Sequence, residues 1–312
     1  MLEPRSSFVD ASDVRLHYLA WDSGASQPAG QASRSAAHLV DDDNIPVVML
    51  HGVAATADTW RLVAEYLWPH SSVLAFDLRG HGLSEQPECG YDLMTIAEDV
   101  ISGMAALGLG QVALVGHGWG ARVALVLAAR HPALVSHLIL VDCPHVEPRH
   151  WPGMTRERFI RQQAPAEIYT SRGRYLEALR GEMASFWSPE IEAILLTYVC
   201  ELPNGRIEER LRPELQSQIR ASLWEDRALS YYGKLTCPVL LVPAAAQPQP
   251  GADLPERLEQ PDDFAAAKGQ MVVQVARMIQ SCSVLWMPNT VHDIQLQHPR
   301  TLADAIAHFV QP

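Results

Sequence analysis

Short runs of consecutive apolar residues recur along the chain, and they predict the buried strands of a sheet. Each run is too short to form a helix, and three of them, Ile45–Leu50, Val112–Val115 and Leu138–Val141, are bounded by Gly, Asp or His. In chain order the runs are Ile45–Leu50, Val73–Phe76, Val112–Val115, Leu138–Val141, Pro238–Val242 and, more weakly, Val284–Met287. Because parallel strands covered on both faces read as continuous apolar runs, this pattern favours a parallel sheet.

Segments with helical periodicity fill the gaps between these runs. Thr95–Leu107 carries apolar residues at helical spacing and ends at a Gly-Leu-Gly sequence. Ala121–Arg130 ends shortly before Pro132, and Thr301–Val310 closes the chain. Phe8–Trp21 alternates between polar and apolar residues, which predicts an edge hairpin. Strands that alternate with helices indicate an α/β fold, a mostly parallel twisted sheet with helices on both faces.

Two segments interrupt this alternation. Residues 22–44 are small and polar, so we expect a flexible surface loop there. Residues 145–234 carry aromatic and charged residues at helical spacing and contain no strand-like run, which predicts a helical cap, or lid, inserted between two strands. The predicted organisation is therefore a core of residues 1–144 and 235–312, with the cap at 145–234 and the loop at 22–44.

Composition narrows the range of partners. The 312 residues include 24 Lys and Arg against 36 Asp and Glu, a net charge of −12. This balance argues against nucleic acid and against an anionic membrane, and it leaves a small-molecule substrate open. The cysteines are an odd number with no C-x-x-C pair, which favours reduced thiols. With no secretory signal and no long apolar run, we expect a cytoplasmic protein; the oligomeric state cannot be predicted.

The sequence VALVGHGWGARVA, residues 112–124, predicts a strand, a tight turn and a helix. This is the layout of a nucleophile elbow, in which a nucleophile stands between two spaced glycines. Here Gly116 and Gly120 flank the turn, and the central residue is Gly118. The central position adopts a positive φ angle that lifts a side chain into the pocket. The G-x-G-x-x-G spacing of a dinucleotide site does not occur at this turn, and we expect no cofactor and no metal.

Other motifs follow the predicted strands in a fixed order. LHGV (50–53) follows the first buried strand, DLRGHGLS (77–84) follows the next, and MPNTVHD (287–293) follows the last. With these motifs, the chain resembles the α/β-hydrolase superfamily over about residues 8–310. The segment GHGWG is most similar to the GHDWG or GHSWG elbows of epoxide hydrolases, haloalkane dehalogenases and esterases. The resemblance implies an α/β-hydrolase fold whose pocket lies between the cap and the C-terminal ends of the strands.

The same resemblance implies roles for individual residues. The backbone N–H groups of Val53 and Trp119 would form an oxyanion hole, and His292 would be the general base. His51 and His81 would hold loops through hydrogen bonds. Residues expected to line the pocket or contact the substrate are His51, His117, Trp60 and Cys143.

Two members of the expected catalytic triad depart from the family pattern. Gly118 has no side chain and cannot form the covalent intermediate that Ser, Asp or Cys would form. Relatives usually place an acid after the strand that matches Pro238–Val242, but this chain continues PAAAQPQP, and Asp253 is the nearest acid. Another branch of the superfamily takes its acid from the end of the preceding strand, which is Asp142 here. We therefore expect Asp142 to orient His292, with Asp253 as the alternative.

Three functional interpretations remain open at this stage. In the first, His292 and the oxyanion hole act without a covalent nucleophile on a small, largely apolar organic substrate, in a hydrolase-like, lyase, isomerase or cyclase reaction. In the second, the chain is a nucleophile-substituted variant of an epoxide hydrolase, dehalogenase or esterase. In the third, it has lost catalysis and binds a small molecule. The retained oxyanion loop and His292 favour an enzyme, although fold inheritance alone could keep them.

Overall fold

A mixed sheet of eight strands forms the centre of the described structure, with the strand order β1-β2-β4-β3-β5-β6-β9-β10. The computed structural model describes residues 3–21, 45–143, 147–151, 153–161, 169–249 and 261–311. The strands are β1 Arg5–Ala11, β2 Val14–Trp21, β3 Val47–Leu50, β4 Val73–Phe76, β5 Val112–His117, β6 Val135–Val141, β9 Val239–Val242 and β10 Cys282–Val284. Strands β3 to β10 of this sheet pair in parallel, and β1 and β2 form the antiparallel hairpin at one edge. This confirms the predicted mostly parallel sheet.

The last predicted strand is shifted. The apolar run Val284–Met287 predicted its position, but the regular strand β10 covers Cys282–Val284. Beyond it, the N–H of Leu285 still donates to the carbonyl of Leu241 at 2.9 Å, and that of Met287 to Pro243 at 3.1 Å. Hydrophobic residues therefore continue along the sheet edge after the regular strand has ended. The apolar pattern alone does not distinguish the regular strand from this continuation.

Helices cover both faces of the sheet, as the alternation predicted. Helices α2 Leu93–Ala106 and α3 Trp119–Arg130 pack on one face, and α1 Arg61–Leu67 and α11 Pro299–Val310 pack together on the other. Helix α2 begins two residues before the predicted Thr95, because the side chain of Asp92 accepts hydrogen bonds from the N–H groups of Met94 and Thr95. The predicted loop at residues 22–44 lies outside the described residues.

The segment between β6 and β9 contains the predicted helices. They are α4 Arg156–Ile160, α5 Arg172–Glu182, α6 Pro189–Leu196, α7 Pro213–Glu225 and α8 Leu229–Tyr232. It also contains an antiparallel hairpin of β7 Val199–Glu201 and β8 Ile207–Glu209, which corrects the expectation of a purely helical segment. Strands of three residues are too short to give a readable alternation, and Gly205, at φ 77°, closes the turn between them.

Two further α-helices lie in the last part of the chain, and short 3-10 helices span Ala57–Trp60, Pro132–Leu134 and Pro148–His150. Helix α9 spans Pro261–Ala276 before β10, and the short α10 spans Ile294–Gln297 just after the MPNTVHD motif. Within the described residues, no helix combines the length and apolar character needed to cross a membrane.

Candidate active site

The elbow turn joins β5 directly to α3. Gly118 lies between His117, the last residue of β5, and Trp119, the first residue of α3, with φ 53° and ψ −116°. Its N–H donates to the carbonyl of Val141 on the neighbouring strand at 3.0 Å, which fixes the turn against the sheet. The backbone at this position therefore has the positive φ expected of an elbow, although no side chain projects from it.

The flanking glycines are required by close backbone packing. A Cβ atom placed on Gly116 would lie 2.5 Å from the carbonyl oxygen of Gly120. A Cβ atom on Gly120 would lie 2.4 Å from the carbonyl oxygen of His51 and 2.5 Å from that of Leu50. Because these contacts are with backbone atoms, no side chain fits at either position without moving the strand, the helix or the loop after β3.

His292 and Asp142 form a hydrogen-bonded pair, named here the His292–Asp142 dyad. Nδ1 of His292 lies 2.6 Å from Oδ2 of Asp142, which follows β6 directly. The other carboxylate oxygen, Oδ1, accepts the N–H of Ala244 at 2.9 Å. Of the two predicted acids, the structure thus brings Asp142 to His292, whereas Asp253 lies outside the described residues.

The backbone of Asp142 has an unusual conformation. Its φ is +39°, in the left-handed region that costs a non-glycine residue about 1–3 kcal/mol. A hydrogen bond from its N–H to the carbonyl of Val242, at 2.8 Å, holds the residue in place. The strain is therefore located where the carboxylate turns toward His292.

The other ring nitrogen of His292 faces the central position of the elbow, Gly118. A Cβ atom placed on Gly118 would lie 3.1 Å from Nε2 of His292 and 3.8 Å from the Cα of Gly52. We call the space that such a side chain would occupy the Gly118 gap. It lies between the imidazole and the loop after β3, where a triad serine or aspartate would project.

Charge around the dyad favours proton transfer at His292. The carboxyl of Asp142 is buried, which alone would raise its pKa, but the hydrogen bond and charge of His292 and the ammonium of Lys268 hold that pKa well below its ordinary value. Desolvation would lower the pKa of His292, but the hydrogen bond to Asp142 and its charge outweigh this and raise that pKa above its ordinary value. The carboxylate therefore stays ionised, and its hydrogen bond and charge favour the protonated form of the imidazole.

Lys268 is a member of this cluster that the sequence did not indicate. It lies on α9, and its Nζ is 2.8 Å from the same Oδ2 of Asp142 that binds His292. Its charge lowers the pKa of His292 and so opposes the effect of the carboxylate. The lysine is 126 residues from Asp142 along the chain, in a helix with no motif of its own, so no sequence signal pointed to it.

Replacing Lys268 with methionine is expected to move the acidic limb of a pH–rate profile to higher pH. Without the ammonium, Asp142 stabilises the imidazolium more strongly, so the pKa of His292 rises and a neutral base is available only at higher pH. The kcat/KM profile of the variant checks this, with Lys268→Arg as the charge-conserving control. A profile that coincides with that of the wild type would contradict it.

Trp119 and Val53, the predicted oxyanion donors, lie on the two sides of the elbow. Trp119 is the first residue of α3, so its N–H has no acceptor within the helix. Val53 follows Gly52, whose Cα borders the Gly118 gap, and Ala54 after it has a positive φ of 61°. Their function as donors remains a prediction.

Two buried histidines beside the elbow hold loops through hydrogen bonds, as expected for His51. His51 is fully buried; its Nδ1–H donates to the carbonyl of Gly52 at 2.7 Å, and its Nε2 accepts the N–H of Leu78 at 3.0 Å. His117 is also buried, and its Nε2 donates to the carbonyl of His292 at 3.0 Å. Burial lowers the pKa of His117 to about 4. His51 therefore has both ring nitrogens engaged in holding loops, and His117 supports the His292 loop; contact of either ring with a substrate stays a prediction.

Trp60 and Cys143 are likewise part of the core. Trp60 is completely buried among residues of the sheet, α1 and α11. Cys143 is 2% exposed, and its thiol lies 4.0 Å from the hydroxyl of Tyr232. Burial raises the pKa of this thiol to about 12, so it is neutral and unreactive. Apolar packing encloses both side chains, and their predicted place in a pocket wall stays a prediction.

His81 and Trp119 form a stacked wall beside the turn. Their ring centroids are 5.3 Å apart, and His51 packs against the other side of His81 at 4.9 Å. Nδ1 of His81 donates to the carbonyl of Arg79 at 2.9 Å, as expected of a loop-holding histidine. Burial lowers the pKa of His81 to about 3 and also lowers that of His51.

His292 is the member of the dyad that is open to solvent, with 57% of its side chain exposed, whereas the side chain of Asp142 is 2% exposed. A cavity of 820 Å³ lies elsewhere, between the loop after β4 and the β7–β8 hairpin, with Gly82, Gln86, Cys200 and Arg206 in its wall. Its lining does not include His292, so this cavity is separate from the dyad. Among the described residues, no group of three or more His, Cys, Asp or Glu side chains is arranged to hold a metal ion.

Comparisons with known proteins agree with this architecture. A family described as the alpha/beta hydrolase fold matches residues 45–181. The 2-(acetamidomethylene)succinate hydrolase of Mesorhizobium japonicum is 25% identical over 269 residues, which is 85% of this chain and 87% of the relative. The soluble epoxide hydrolase of a Corynebacterium species is 40% identical over 97 residues, only 31% of this chain and 34% of that protein.

A solved structure, that of E-2-(acetamidomethylene)succinate hydrolase, superposes over the whole chain. The TM-score is 0.73 with 20% sequence identity, and the match covers 99% of both chains. At this identity the likeness concerns the fold alone. Together with the family match, it confirms the fold class predicted from the sequence.

Proposed function

We propose that this chain, a member of the α/β-hydrolase superfamily, is an enzyme in which the His292–Asp142 dyad performs general acid–base catalysis without a covalent nucleophile. One observation carries the proposal: Nε2 of His292 faces the Gly118 gap while Nδ1 is held by Asp142 at 2.6 Å. Glycine provides no group for covalent catalysis. A water molecule or substrate atom placed in the gap would transfer its proton to Nε2.

The proposed oxyanion donors restrict the type of reaction. The N–H groups of Val53 and Trp119 would stabilise negative charge on an oxygen atom beside the gap, by about 3–4 kcal/mol each when such donors are well placed. Two kinds of species carry this charge. A tetrahedral intermediate forms when an activated water attacks an ester or amide, and an enolate forms when a proton or a carbon fragment leaves the carbon next to a carbonyl.

The proposed substrates are small organic carbonyl compounds with a largely apolar body. The relative that aligns along most of this chain is named as a hydrolase of a compound that carries an acetamido group, which supports hydrolysis of an acyl bond as the first reaction to examine. Lyase, isomerase and cyclase reactions through an enolate remain part of the same proposal, because they use the same base and donors.

The test compares wild type with His292→Gln on two substrate panels. One panel contains small esters and N-acyl compounds, and the other contains enolisable ketones whose proton exchange is followed in D₂O. We expect turnover on at least one panel and a loss of about a hundredfold in the variant, the usual contribution of a positioned base. The matched control is His131→Gln, at the far end of α3, where an exposed histidine pairs with Glu98. Equal turnover in wild type and His292→Gln would refute the proposal.

A second candidate is an altered hydrolase that once used a side chain at position 118. The φ of 53° and ψ of −116° at Gly118 favour it. This is the conformation that projects a nucleophile from an elbow, and a glycine with no side chain to project has no need of it. A third outcome is a binding protein: specific ligand binding that persists in His292→Gln, with no turnover in either form, would support it.

A further inference from the structure

A serine, a histidine and an aspartate are linked in series by hydrogen bonds at the edge of the sheet. Oγ of Ser6 is 2.8 Å from Nε2 of His17, and Nδ1 of His17 is 2.7 Å from Oδ2 of Asp77. Ser6 is on β1, His17 is on β2 and Asp77 directly follows β4. The strand register explains the contact: Phe8 pairs with His17, so Ser6 lies diagonally across from that imidazole on the same face.

Burial helps to determine which group donates and which accepts in the hydrogen bonds between Ser6, His17 and Asp77. The side chains of His17 and Asp77 are 3% and 2% exposed. Asp77 also accepts hydrogen bonds from the N–H groups of Ala57 at 2.6 Å and Leu83 at 2.9 Å. Burial alone would raise the pKa of Asp77, but these bonds and the nearby histidines lower it. The carboxylate is therefore ionised and accepts Nδ1–H of His17, which leaves Nε2 as the acceptor for the hydroxyl of Ser6.

The serine itself is accessible. Ser6 is exposed on the edge strand, next to Phe8, whose side chain is also exposed. The imidazole of His17 packs against the Phe8 ring with centroids 5.2 Å apart, which limits its rotation. An accessible hydroxyl, a buried imidazole and a buried carboxylate joined by hydrogen bonds are the components of an activated nucleophile.

We propose that Ser6 is an acylation and phosphonylation site, activated by His17 and Asp77 and separate from the His292–Asp142 dyad. Oγ of Ser6 attacks the carbonyl carbon or the phosphorus atom of the reagent, a new O–C or O–P bond forms, and the bond to the leaving group breaks. The hydroxyl proton passes to Nε2 of His17 and then to the leaving group, while Asp77 stabilises the transient imidazolium. The products are the ester of Ser6 and the protonated leaving group, with no redox change.

The reagents that fit this site carry a good leaving group. Ser6 lies on a strand at the edge of the sheet, away from the backbone donors proposed for the elbow, so the reagent must itself be activated. Aryl esters and alkyl fluorophosphonates meet this requirement. Gly118 provides no hydroxyl at the elbow, so the elbow does not compete for such reagents.

The experiment treats the full chain with a biotinylated alkyl fluorophosphonate and locates the adduct by peptide mass spectrometry. We expect one adduct per chain, on Ser6, formed about a hundredfold faster than on the same chain unfolded in urea, because a positioned base contributes about that much. Ser6→Ala abolishes the adduct. Ser7→Ala is the matched control and keeps it, since neighbouring residues of a strand point to opposite faces. His292→Gln also keeps it, which separates this site from the proposed catalytic one.

His17→Gln tests the activation directly, and circular dichroism checks that the variant folds. Its labelling rate is expected to fall close to that of the unfolded chain. If the variant does not fold, the comparison between native and urea-unfolded wild type decides the question. Absence of an adduct, an adduct that persists in Ser6→Ala, or equal rates in native and unfolded chain would each overturn the proposal.

Discussion

Replacing Gly118 with serine is expected to raise kcat/KM for a small aryl ester on the order of a thousandfold above the wild type. The reason is positional: the new side chain would start 3.1 Å from Nε2 of His292, which is already hydrogen-bonded to Asp142. Its hydroxyl would give the site a covalent route, in which the imidazole accepts the serine proton during acylation. A burst of aryl alcohol release in stopped-flow measurements, made in a Ser6→Ala background so that Ser6 cannot contribute, would report the acyl-enzyme at position 118.

The substitution has a structural cost that sets its limits. A Cβ contact of 3.1 Å is short, so the imidazole must move back by a few tenths of an ångström. The side chain of His292 is 57% exposed and lies on the loop before α10, which makes such a shift feasible. A φ of 53° costs a non-glycine residue about 1–3 kcal/mol, so the variant should also unfold more easily in urea.

Gly118→Ala separates the effect of the serine hydroxyl from the effect of adding a Cβ atom. Alanine brings the same backbone strain and the same contact with His292 but no nucleophile, so it should show no ester turnover above wild type. Combining Gly118→Ser with His292→Gln should abolish the gain. A Gly118→Ser variant that folds, binds the ester and still hydrolyses it no faster than Gly118→Ala would show that the elbow and the dyad are not aligned for catalysis.

Gly120→Ala is expected to destabilise the protein by about 3 kcal/mol or more, at the upper end for an overpacked core. The added methyl would lie 2.4 Å from the carbonyl oxygen of His51 and 2.5 Å from that of Leu50, and neither atom can rotate away. The expected cost is large because relief requires α3 to separate from the loop that carries Val53. Urea denaturation followed by far-ultraviolet circular dichroism measures the free energy of unfolding.

The matched control is another helical glycine. Gly181 lies in α5, and a Cβ atom placed there meets no other atom within 4 Å. Gly181→Ala should stabilise the chain by up to about 1 kcal/mol, the usual difference in helix propensity. If Gly120→Ala proved as stable as Gly181→Ala, the close packing described at the elbow would be wrong.

Local patterns in the sequence were sufficient to predict the sheet and its helices. Buried parallel strands and amphipathic helices each give a periodic signal, and the glycine spacing 116–118–120 marks a turn that few other structures require. Where the signal depends on few residues, the prediction fails. The β7–β8 hairpin has only three residues in each strand, and β10 ends while its apolar run continues.

The site was less predictable because a side chain's role depends on what surrounds it. A motif position indicates that His51 or Trp60 lies near the pocket, but it cannot distinguish an exposed ring from one enclosed by the core. Lys268 reaches Asp142 from a helix inserted between β9 and β10, and nothing in its neighbouring residues indicates that contact. Sequence reasoning therefore located the turn and its histidine, and tertiary packing decided the rest.

The imidazoles around the elbow differ in a way that bears on ligand uptake. Burial depresses the pKa of His81 to about 3 and of His117 to about 4, and it lowers that of His51, whereas the pKa of His292 is raised. His292 is thus the member of this group whose surroundings favour the protonated form. An anionic ligand seated at its Nε2 should be taken up together with at most one proton. Calorimetric titrations in buffers of differing ionisation enthalpy would count that proton directly.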